Sequence, residues 1–525
     1  KIQALKVTTG GQTFTMIRLD RLRTKFPYIA MLPQAKFLDF MADEAKKLPS
    51  FKLILGANVQ RLVEEKSIGA EEPEAMIAAY RNTLDEGRSP VETKKADASR
   101  VHARRWERFR PDASWDEPVQ TAVPRERLQF LADRLTSIPA EFNLHPRVQK
   151  IIADRRAMGL GEQHLDWGMA ESLAYASLLT EGFPVRISGQ DCGRGTFFHR
   201  HAVLHDQNRV NWKEGYYAPL QNLEAGQSDF VVIDSTLSEE AVLAYEYGYA
   251  TAEPDSLVIW EAQFGDFANG AQVVIDQFIV SGEAKWGRLC GLVMLLQHGY
   301  EGQGAEHSSG RIERYLQLCA DYNIQVCVPS SAAQMFHLLR RQMLRPYRKP
   351  LIVFTPKSML RSKDAASPLE DLAGGGFQTV IGETDTLDAS AVRRIIVCSG
   401  KVYYELLKSR RERGTKDMAI IRLEQLYPFP HKEFADQIAA YPNAREVVWC
   451  QEEPGNQGAW HRIQHYLVRH LRTGMRLDYA LRPSAAAPAV GYLALHNAQQ
   501  KAVIEAAFRD DLDIKPAPGA KHHDH

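Results

Sequence analysis

Short apolar runs alternate with stretches of helical spacing through the middle of the chain. Runs typical of buried parallel strands occur at Val185–Ser188, Val231–Asp234, Ser256–Trp260, Gly291–Leu296, Ile324–Pro329 and Pro350–Thr355. Between them, the spacing of apolar residues predicts helices over Met169–Thr180, Glu239–Thr251, Ala271–Gly282, Ile312–Tyr322 and Ala332–Leu344. Strands that alternate with helices predict an α/β fold in which a doubly wound, mostly parallel sheet is covered on both faces.

A second, smaller α/β pattern follows toward the C-terminal end. It predicts strands at Arg394–Ser399, Met418–Leu423 and Glu446–Gln451, with helices at Lys401–Arg411, His431–Ala440 and Trp460–Leu471. The polar stretch 361–384, which contains Gly374, Gly375 and Gly376, predicts a linker between the two patterns. The tail 509–525 is predicted to be disordered.

The first part of the chain is less regular. Gln12–Arg18 and Phe51–Leu55 are predicted as strands, and Lys36–Lys47 as a helix. Residues 67–125 are polar, charged and interrupted by prolines, so an extended connector is expected there. A helix is predicted to begin near Glu126, with leucines on one face at positions 128, 131 and 135.

Composition narrows the classes of function. The 525 residues contain 65 Lys and Arg against 65 Asp and Glu, which gives no general attraction to nucleic acid or to anionic membranes. No apolar run approaches the roughly 18 residues of a membrane span, and no signal-peptide pattern opens the chain, so a cytoplasmic or mitochondrial-matrix location is expected. The six cysteines form no C-x-x-C pair and are expected to be buried thiols rather than disulfides.

Polar segments rich in glycine and aromatic residues follow several predicted strands. They are Gly189–His201, Ile233–Glu240, Trp260–Gly270 and His298–Ser309. Since the carboxyl ends of parallel strands meet at one edge of a sheet, these loops are expected to gather there and to bind a ligand. A further unusual segment, Gln451–Trp460, lies in the smaller pattern.

Together these segments resemble the C-terminal half of the decarboxylating first component of the 2-oxoglutarate dehydrogenase complex, a thiamine diphosphate enzyme of the transketolase superfamily. The resemblance runs from about Glu65 to about Phe508 and includes Phe197–His201, Leu237–Glu253, Ile259–Ile279 and Tyr427–Pro430. It implies a connector over 63–135, a pyrimidine-binding domain over 136–360 and a transketolase-type C-terminal domain over 385–508.

The same resemblance implies an activity and partners. They are the thiamine-dependent oxidative decarboxylation of 2-oxoglutarate, succinyl transfer to a lipoyl group, a homodimer that shares its active sites, and a dihydrolipoyl succinyltransferase. Two alternatives stay open: a fragment that dimerises or docks without turnover, and a homologue that acts on 2-oxoadipate.

Roles follow residue by residue. Glu239 matches the glutamate that contacts the aminopyrimidine ring of the cofactor, where a shared proton promotes loss of the thiazolium proton. Its alternative role is a carboxylate that favours the helix dipole. Phe264 and Phe267 match the position of the aromatic ring that stacks on the pyrimidine, although either is also compatible with a core residue. His307 matches a histidine that faces the 2-oxo acid, and its alternative is an exposed loop histidine.

Weaker candidates lie in the same loops. His298 is expected to be structural. In the loop 189–201, residues expected to shape the pocket or to contact the second carboxylate of the substrate are Gln190, Asp191, Arg194, His199 and His201. Among them Arg194 is the best suited to bind a carboxylate through two hydrogen bonds.

One element of the superfamily is absent from the sequence. The family holds the cofactor diphosphate through Mg²⁺ bound by a Gly-Asp-Gly segment and a later asparagine, and no Gly-Asp-Gly occurs here. The chain is therefore expected to supply the pyrimidine side of the thiamine diphosphate site, with Mg²⁺ held by a missing half and no metal site of its own.

Residues 1–62 resemble an internal stretch of flavin-dependent aromatic-hydroxylase-type oxidoreductases. The resemblance rests on Arg21–Gln34, Phe37–Glu44 and Phe51–Ala57, and the Gly-x-Gly-x-x-Gly cradle of such flavoproteins is missing. We expect a fusion, a rearranged gene or an assembly artefact with its junction near Val63–Ser67, and no flavin binding by these residues.

Overall fold

The computed structural model describes residues 4–9, 12–18, 72–86, 105–110, 113–211 and 214–509. Contacts divide the chain into two units, Lys1–Asp97 and Ala98–His525. The first unit contains an antiparallel pair of strands, Ala4–Thr9 and Gln12–Arg18, and the helix Glu72–Asp85. The strand predicted at Gln12–Arg18 is thus confirmed, whereas the predictions for Lys36–Lys47, Phe51–Leu55 and nearly all of the tail lie outside the described residues.

The extended connector predicted for residues 67–125 is wrong for Glu72–Asp85, which is helical. The segment combines acidic residues at its start with several alanines, and both favour helix. Its larger apolar side chains, Met76, Ile77 and Tyr80, are exposed. Burial of apolar side chains is therefore not what makes this segment helical, so the pattern of apolar residues does not predict this helix.

The second unit is built around a seven-stranded sheet. In spatial order its strands are Gln425–Tyr427, Gln325–Cys327, Leu351–Thr355, Val293–Gln297, Leu257–Glu261, Val185–Gly189 and Phe230–Asp234. All neighbouring pairs are parallel except the one made by Gln425–Tyr427, which joins the edge in antiparallel orientation. The predicted α/β class and mostly parallel sheet are confirmed.

Both faces of this sheet are covered. Alternate residues of the strand Leu257–Glu261 enter different cores: Leu257 and Ile259 pack with the helices Trp167–Thr180 and Ala332–Leu344, and Val258 and Trp260 pack with the helix Glu239–Ala252. The remaining helices of this part are Arg125–Thr136, Pro146–Leu160, Gly282–Trp286, Ile312–Gln317 and Leu369–Ala373. A small hairpin pairs Leu204–His205 with Tyr216–Tyr217.

A five-stranded sheet follows, as the smaller pattern predicts. Its order is Val380–Ile381, Met418–Leu423, Arg394–Cys398, Glu446–Pro454 and Arg476–Arg482, and only the first of these is antiparallel to its neighbour. Its helices are Val402–Arg413, His431–Ala439, Trp460–Arg469 and Leu493–Ala507. Val397, Ile421 and Trp449 share one apolar core with Trp260 and Phe354 of the larger sheet. The two sheets are therefore packed together through a continuous core.

Two predicted elements differ in the structure. The helix predicted over Ala271–Gly282 is broken into the 3₁₀ segment Gly265–Ala271, a short helical turn and the π-helical turn Ile275–Ile279. Here Ser281 Oγ donates to the Asp276 carbonyl at 2.7 Å, replacing a regular backbone bond. The predicted linker 361–384 is packed rather than free, because Leu369 and Leu372 are buried and Val380–Ile381 joins the smaller sheet.

The six cysteines are free, and all but the half-buried Cys319 are buried, as predicted. In the described part of the chain, no helix is both long enough and apolar enough to cross a membrane.

Candidate active site

The predicted ligand-binding loops meet at one edge of the larger sheet. The strands ending at Gly189, Asp234, Glu261, Gln297 and Thr355 are parallel neighbours, so their carboxyl ends lie side by side. This edge carries most of the sequence-predicted site residues.

Three aromatic rings form a cluster at the centre of this edge. The ring centroids of Phe264 and His307 lie 4.5 Å apart, and the ring of Phe267 lies 5.8 Å from Phe264 and 5.7 Å from His307. Phe197, from the loop 189–201, contacts Phe264 edge-on at 5.4 Å. The rings of Phe264, Phe267 and His307 are half-buried and contact one another edge-on, at interplanar angles of 73° to 88°. The face of one such ring can stack on a planar heterocycle.

Two polar residues not singled out from the sequence hold this ring cluster in place. Lys357 Nζ donates to the His307 carbonyl at 2.6 Å and to Gln303 Oε1 at 2.7 Å, and lies 6.0 Å from the centroid of Phe264. Asp266 Oδ1 accepts from the backbone N–H groups of Ser308 and Ser309 at 3.4 and 3.1 Å. Burial lowers the pKa of Lys357 and raises that of Asp266.

The position of Lys357 in the sequence could have predicted it as a site residue. The residue follows the strand Leu351–Thr355, whose carboxyl end lies at the same edge as the four loops. The contacts of Asp266 are made with backbone groups about forty positions away, and spacing along the chain gives no indication of them.

Glu239 is the first residue of the helix Glu239–Ala252, directly after the cap residue Ser238. Its carboxylate is half-buried, and Oε1 accepts from Gln190 Nε2 at 3.2 Å. A Cβ placed on Gly270 would lie 3.7 Å from Glu239 Oε2, so this carboxylate lies beside the segment that carries Phe264 and Phe267. The structure thus brings Glu239 and Gln190 together, close to the ring cluster.

A buried cluster of charged side chains stabilises the loop 189–201. Arg200 is fully buried and binds Glu261 through two hydrogen bonds of 2.6 and 2.7 Å. Its Nε donates to Glu171 Oε1 at 2.5 Å. A buried arginine held by two carboxylates supports the conformation of the loop, because breaking one pair would leave an uncompensated charge in the interior. Arg200 and Glu261 lie in loops predicted to bind a ligand, but no role was predicted for either of them or for Glu171.

The histidines of this loop lie on either side of Arg200 and are uncharged at neutral pH. Burial and the nearby arginines hold the pKa of His199 well below its usual value, and they lower the pKa of His201 to about 4. Arg194 is ion-paired with Asp191 and stacks on Phe198, with its guanidinium carbon 3.9 Å from the ring centroid. The guanidinium group of Arg194 is therefore already paired with a carboxylate, that of Asp191.

His298 lies behind the ring cluster and faces the smaller sheet. Its Nδ1 accepts from the N–H of Gly310 at 3.1 Å, so the proton is on Nε2, which donates to Glu453 Oε1 at 2.9 Å. Burial raises the pKa of Glu453, but the hydrogen bond from His298 opposes it and the net pKa is below the usual value. The side chain of His298 is therefore held by Gly310 and Glu453.

Comparison with known proteins shows two adjoining family domains. Residues 163–363 match the transketolase pyrimidine-binding domain, and residues 366–508 match the 2-oxoglutarate dehydrogenase C-terminal domain. Residues 163–508 therefore correspond to the C-terminal part of 2-oxoglutarate dehydrogenase E1 components.

Relatives named 2-oxoglutarate dehydrogenase E1 component come from several bacteria. That of Cupriavidus necator is 58% identical over 448 residues, and those of Haemophilus influenzae and Azotobacter vinelandii are 55% and 54% identical over 449 and 450 residues. Each match covers 85% of this chain and 47% of the relative. The chain therefore spans about half the length of these relatives.

The matched segments overlap the predicted domains 136–360 and 385–508 and leave residues 1–62 outside both. The resemblance of residues 1–62 to flavin-dependent oxidoreductases stays a prediction. Among the described residues, no group of three or more His, Cys, Asp or Glu side chains is arranged to hold a metal ion.

Proposed function

We propose that this chain forms the pyrimidine side of the thiamine diphosphate site of a 2-oxoglutarate dehydrogenase E1. The observation that carries the proposal is the position of Glu239, at the start of its helix and beside the segment bearing Phe264 and Phe267. The chemistry of the residues supports the proposal: a half-buried carboxylate can share a proton with a ring nitrogen, and an aromatic ring can stack on a planar ring. The bound cofactor would supply a carbanion able to attack a 2-oxo group.

The residues of this chain have separable tasks. Glu239 holds or donates the proton shared with a ring nitrogen, and Gln190 keeps its carboxylate oriented. Phe264 or Phe267 stacks on the ring, and His307 donates a hydrogen bond to the 2-oxo acid. Lys357 places a buried positive charge behind His307, which favours an anionic substrate.

We further propose 2-oxoglutarate as substrate, succinyl transfer to a lipoyl group as the outcome, and a dihydrolipoyl succinyltransferase as partner, by analogy with the named relatives. A homodimer is supported by an open sheet edge. The strand Phe230–Asp234 pairs only with Val185–Gly189 in the described part of the chain, and Val231, Ile233 and Leu237 are exposed there. An edge strand with exposed apolar residues favours association with another protein surface. The expected Mg²⁺ belongs to the complementary half.

The test is 2-oxoglutarate-dependent reduction of an artificial electron acceptor, with thiamine diphosphate and Mg²⁺ present. We measure the chain alone and after adding the N-terminal half of the Cupriavidus necator relative. Turnover is expected only in the mixture, and Glu239→Gln should lower it by about a hundredfold or more, since a neutral amide cannot share the proton. The matched control is Glu240→Gln, because Glu240 is the exposed neighbour of Glu239.

Equal activity of the two variants would contradict the role of Glu239. Cofactor binding without turnover in the mixture would favour a docking fragment, and preference for 2-oxoadipate in a competition assay would change the substrate. Turnover by the chain alone would show that the site forms without the usual metal-binding segment.

A further inference from the structure

A cavity of about 760 Å³ is lined in part by Phe198 and His199 of the loop 189–201. It is bordered by the helix Pro146–Leu160, by residues 163–166 and by residues 361–366. Ile151, Met158, Phe198 and Ala366 form its apolar wall. Its volume lies in the range of small-molecule sites, which are mostly apolar with a few placed polar groups.

The cations around this cavity exceed the anions. Lys150 is paired with Asp154 at 3.0 Å, and Asp166 caps a helix by accepting from the N–H of Met169 at 2.7 Å. Arg147, Arg361 and Lys363 also line the cavity, and none of them has a carboxylate within 4.0 Å among the described residues. Three exposed positive charges therefore line a largely apolar wall. Arg361 donates to the Phe198 carbonyl and acts electrostatically on the carboxylate of Asp166.

The stability of the fold does not explain why these cations lie around the cavity. Arg147 is the second residue of the helix Pro146–Leu160, where the positive end of the helix dipole disfavours cations. Buried Arg155 adds positive charge behind the cavity and donates to the carbonyls of His199 and Arg200 at 2.7 and 2.8 Å. In a pocket with low-dielectric walls these charges reinforce one another and favour an anion.

Phe198 makes the opening of the cavity selective. Its side chain is 51% exposed, and the guanidinium carbons of Arg194 and Arg361 lie 3.9 and 5.9 Å from its ring centroid. An aromatic ring near guanidinium groups offers apolar contact and positive charge at the same place. The preceding residue, Phe197, contacts Phe264 of the ring cluster, so the cavity and the candidate active site share one stretch of backbone.

We propose that this cavity is a binding site for an organic anion with an apolar body, either a carboxylate or a phosphate monoester. Arg147, Arg361 and Lys363 bind the anionic group, and Ile151, Met158 and Phe198 contact the apolar part. The proposal concerns a second site in this chain and does not depend on the activity proposed above.

The test is calorimetric titration of the full chain with four probes: octanoate, octyl phosphate, octanamide and acetate. Octanoate or octyl phosphate is expected to bind with one site per chain. Octanamide should bind about tenfold more weakly because it lacks the charge, and acetate should bind at least as weakly because it lacks the apolar body. Whichever charged probe binds more tightly identifies the anionic group.

Arg147→Gln/Lys363→Gln should weaken binding of the charged probe by about tenfold or more, because it removes two unpaired cations from the rim. The matched control is Lys432→Gln/Arg462→Gln, which removes the same two charges from exposed positions outside the cavity. Equal weakening in both variants would show a general charge effect and overturn the proposal. Equal affinity for octanoate and octanamide, or no binding of either charged probe, would overturn it as well.

Discussion

The role of a residue at the candidate site depends more on its neighbours in the fold than on its residue type. Glu239, Phe264 and His307 are recognisable from the sequence because they lie in segments that resemble the family. Their partners are not: Lys357 and Asp266 reach the loop of His307 through hydrogen bonds to backbone groups, which depend on folded geometry alone. Backbone contacts leave no pattern of residue types in the chain.

His201 makes the stability of the protein depend on pH. Its pKa falls from 6.5 to about 4 on folding, chiefly because of burial. Below pH 6.5, His201 therefore binds a proton in the unfolded chain but not in the folded chain. The contribution of His201 to the free energy of unfolding is lost as the pH falls from 6.5 toward 4. Between pH 7 and pH 5 this histidine should cost about 2 kcal/mol of unfolding free energy.

The measurement is urea denaturation at the two pH values. His201→Asn should reduce the loss of stability by about that amount, since asparagine does not titrate and tolerates the left-handed backbone at this position, where φ is 47°. The exposed residue His461 supplies the control, His461→Asn, which should leave the pH dependence unchanged. An unaltered pH dependence in His201→Asn would mean that the pKa of His201 does not change on folding.

At the scale of elements, the site depends on the close approach of two loops. Gly265 lies where the segment after Leu257–Glu261 meets the end of Val293–Gln297. A Cβ at Gly265 would lie 2.5 Å from the Gln297 carbonyl oxygen and 2.8 Å from Gly310 Cα. Both contacts are with backbone, so neither neighbour can move away as a flexible side chain would.

Gly265→Ala should therefore destabilise the protein by about 2 kcal/mol or more and separate the two loops. Gly248→Ala is the matched control, since Gly248 lies inside the helix Glu239–Ala252 and a Cβ there meets no atom within 4 Å. That change should be neutral or stabilise by up to about 1 kcal/mol, because alanine favours helix. Denaturation midpoints of the two variants distinguish these outcomes, and equal midpoints would contradict the close approach.

Across the whole molecule, the smaller sheet supports the site on the larger one. The pair between His298 and Glu453 joins the domain matched at 163–363 to the domain matched at 366–508, and both side chains are at most 9% exposed. Gly458 donates to Glu313 Oε2 across the same boundary at 2.9 Å. The loop that carries His307 thus begins at a residue held by the other domain.

Glu453→Ala should cost about 2–4 kcal/mol, because it leaves the buried His298 Nε2–H without an acceptor. Glu505→Ala serves as control: its partner Lys501 lies at 3.7 Å with a side chain 77% exposed, and losing such a pair should cost less than about 1 kcal/mol. Unfolding free energies of both variants give the comparison. Similar costs would show that the His298–Glu453 pair does not stabilise the domain boundary.

The sequence by itself determined the α/β class, the mostly parallel sheet and the edge of the sheet at which the loops gather. The spacing of apolar residues follows from burial along the chain, and the loops after parallel strands meet at one edge. Glu239, Phe264, Phe267 and His307 were predicted as site residues because the segments that contain them resemble the family. Tertiary structure alone decided three further features: the antiparallel edge strand Gln425–Tyr427, the buried cluster of Arg200 with Glu171 and Glu261, and the broken helix after Ala271. The first two arise from contacts between residues far apart in sequence, whose energies depend on distances that no local pattern encodes.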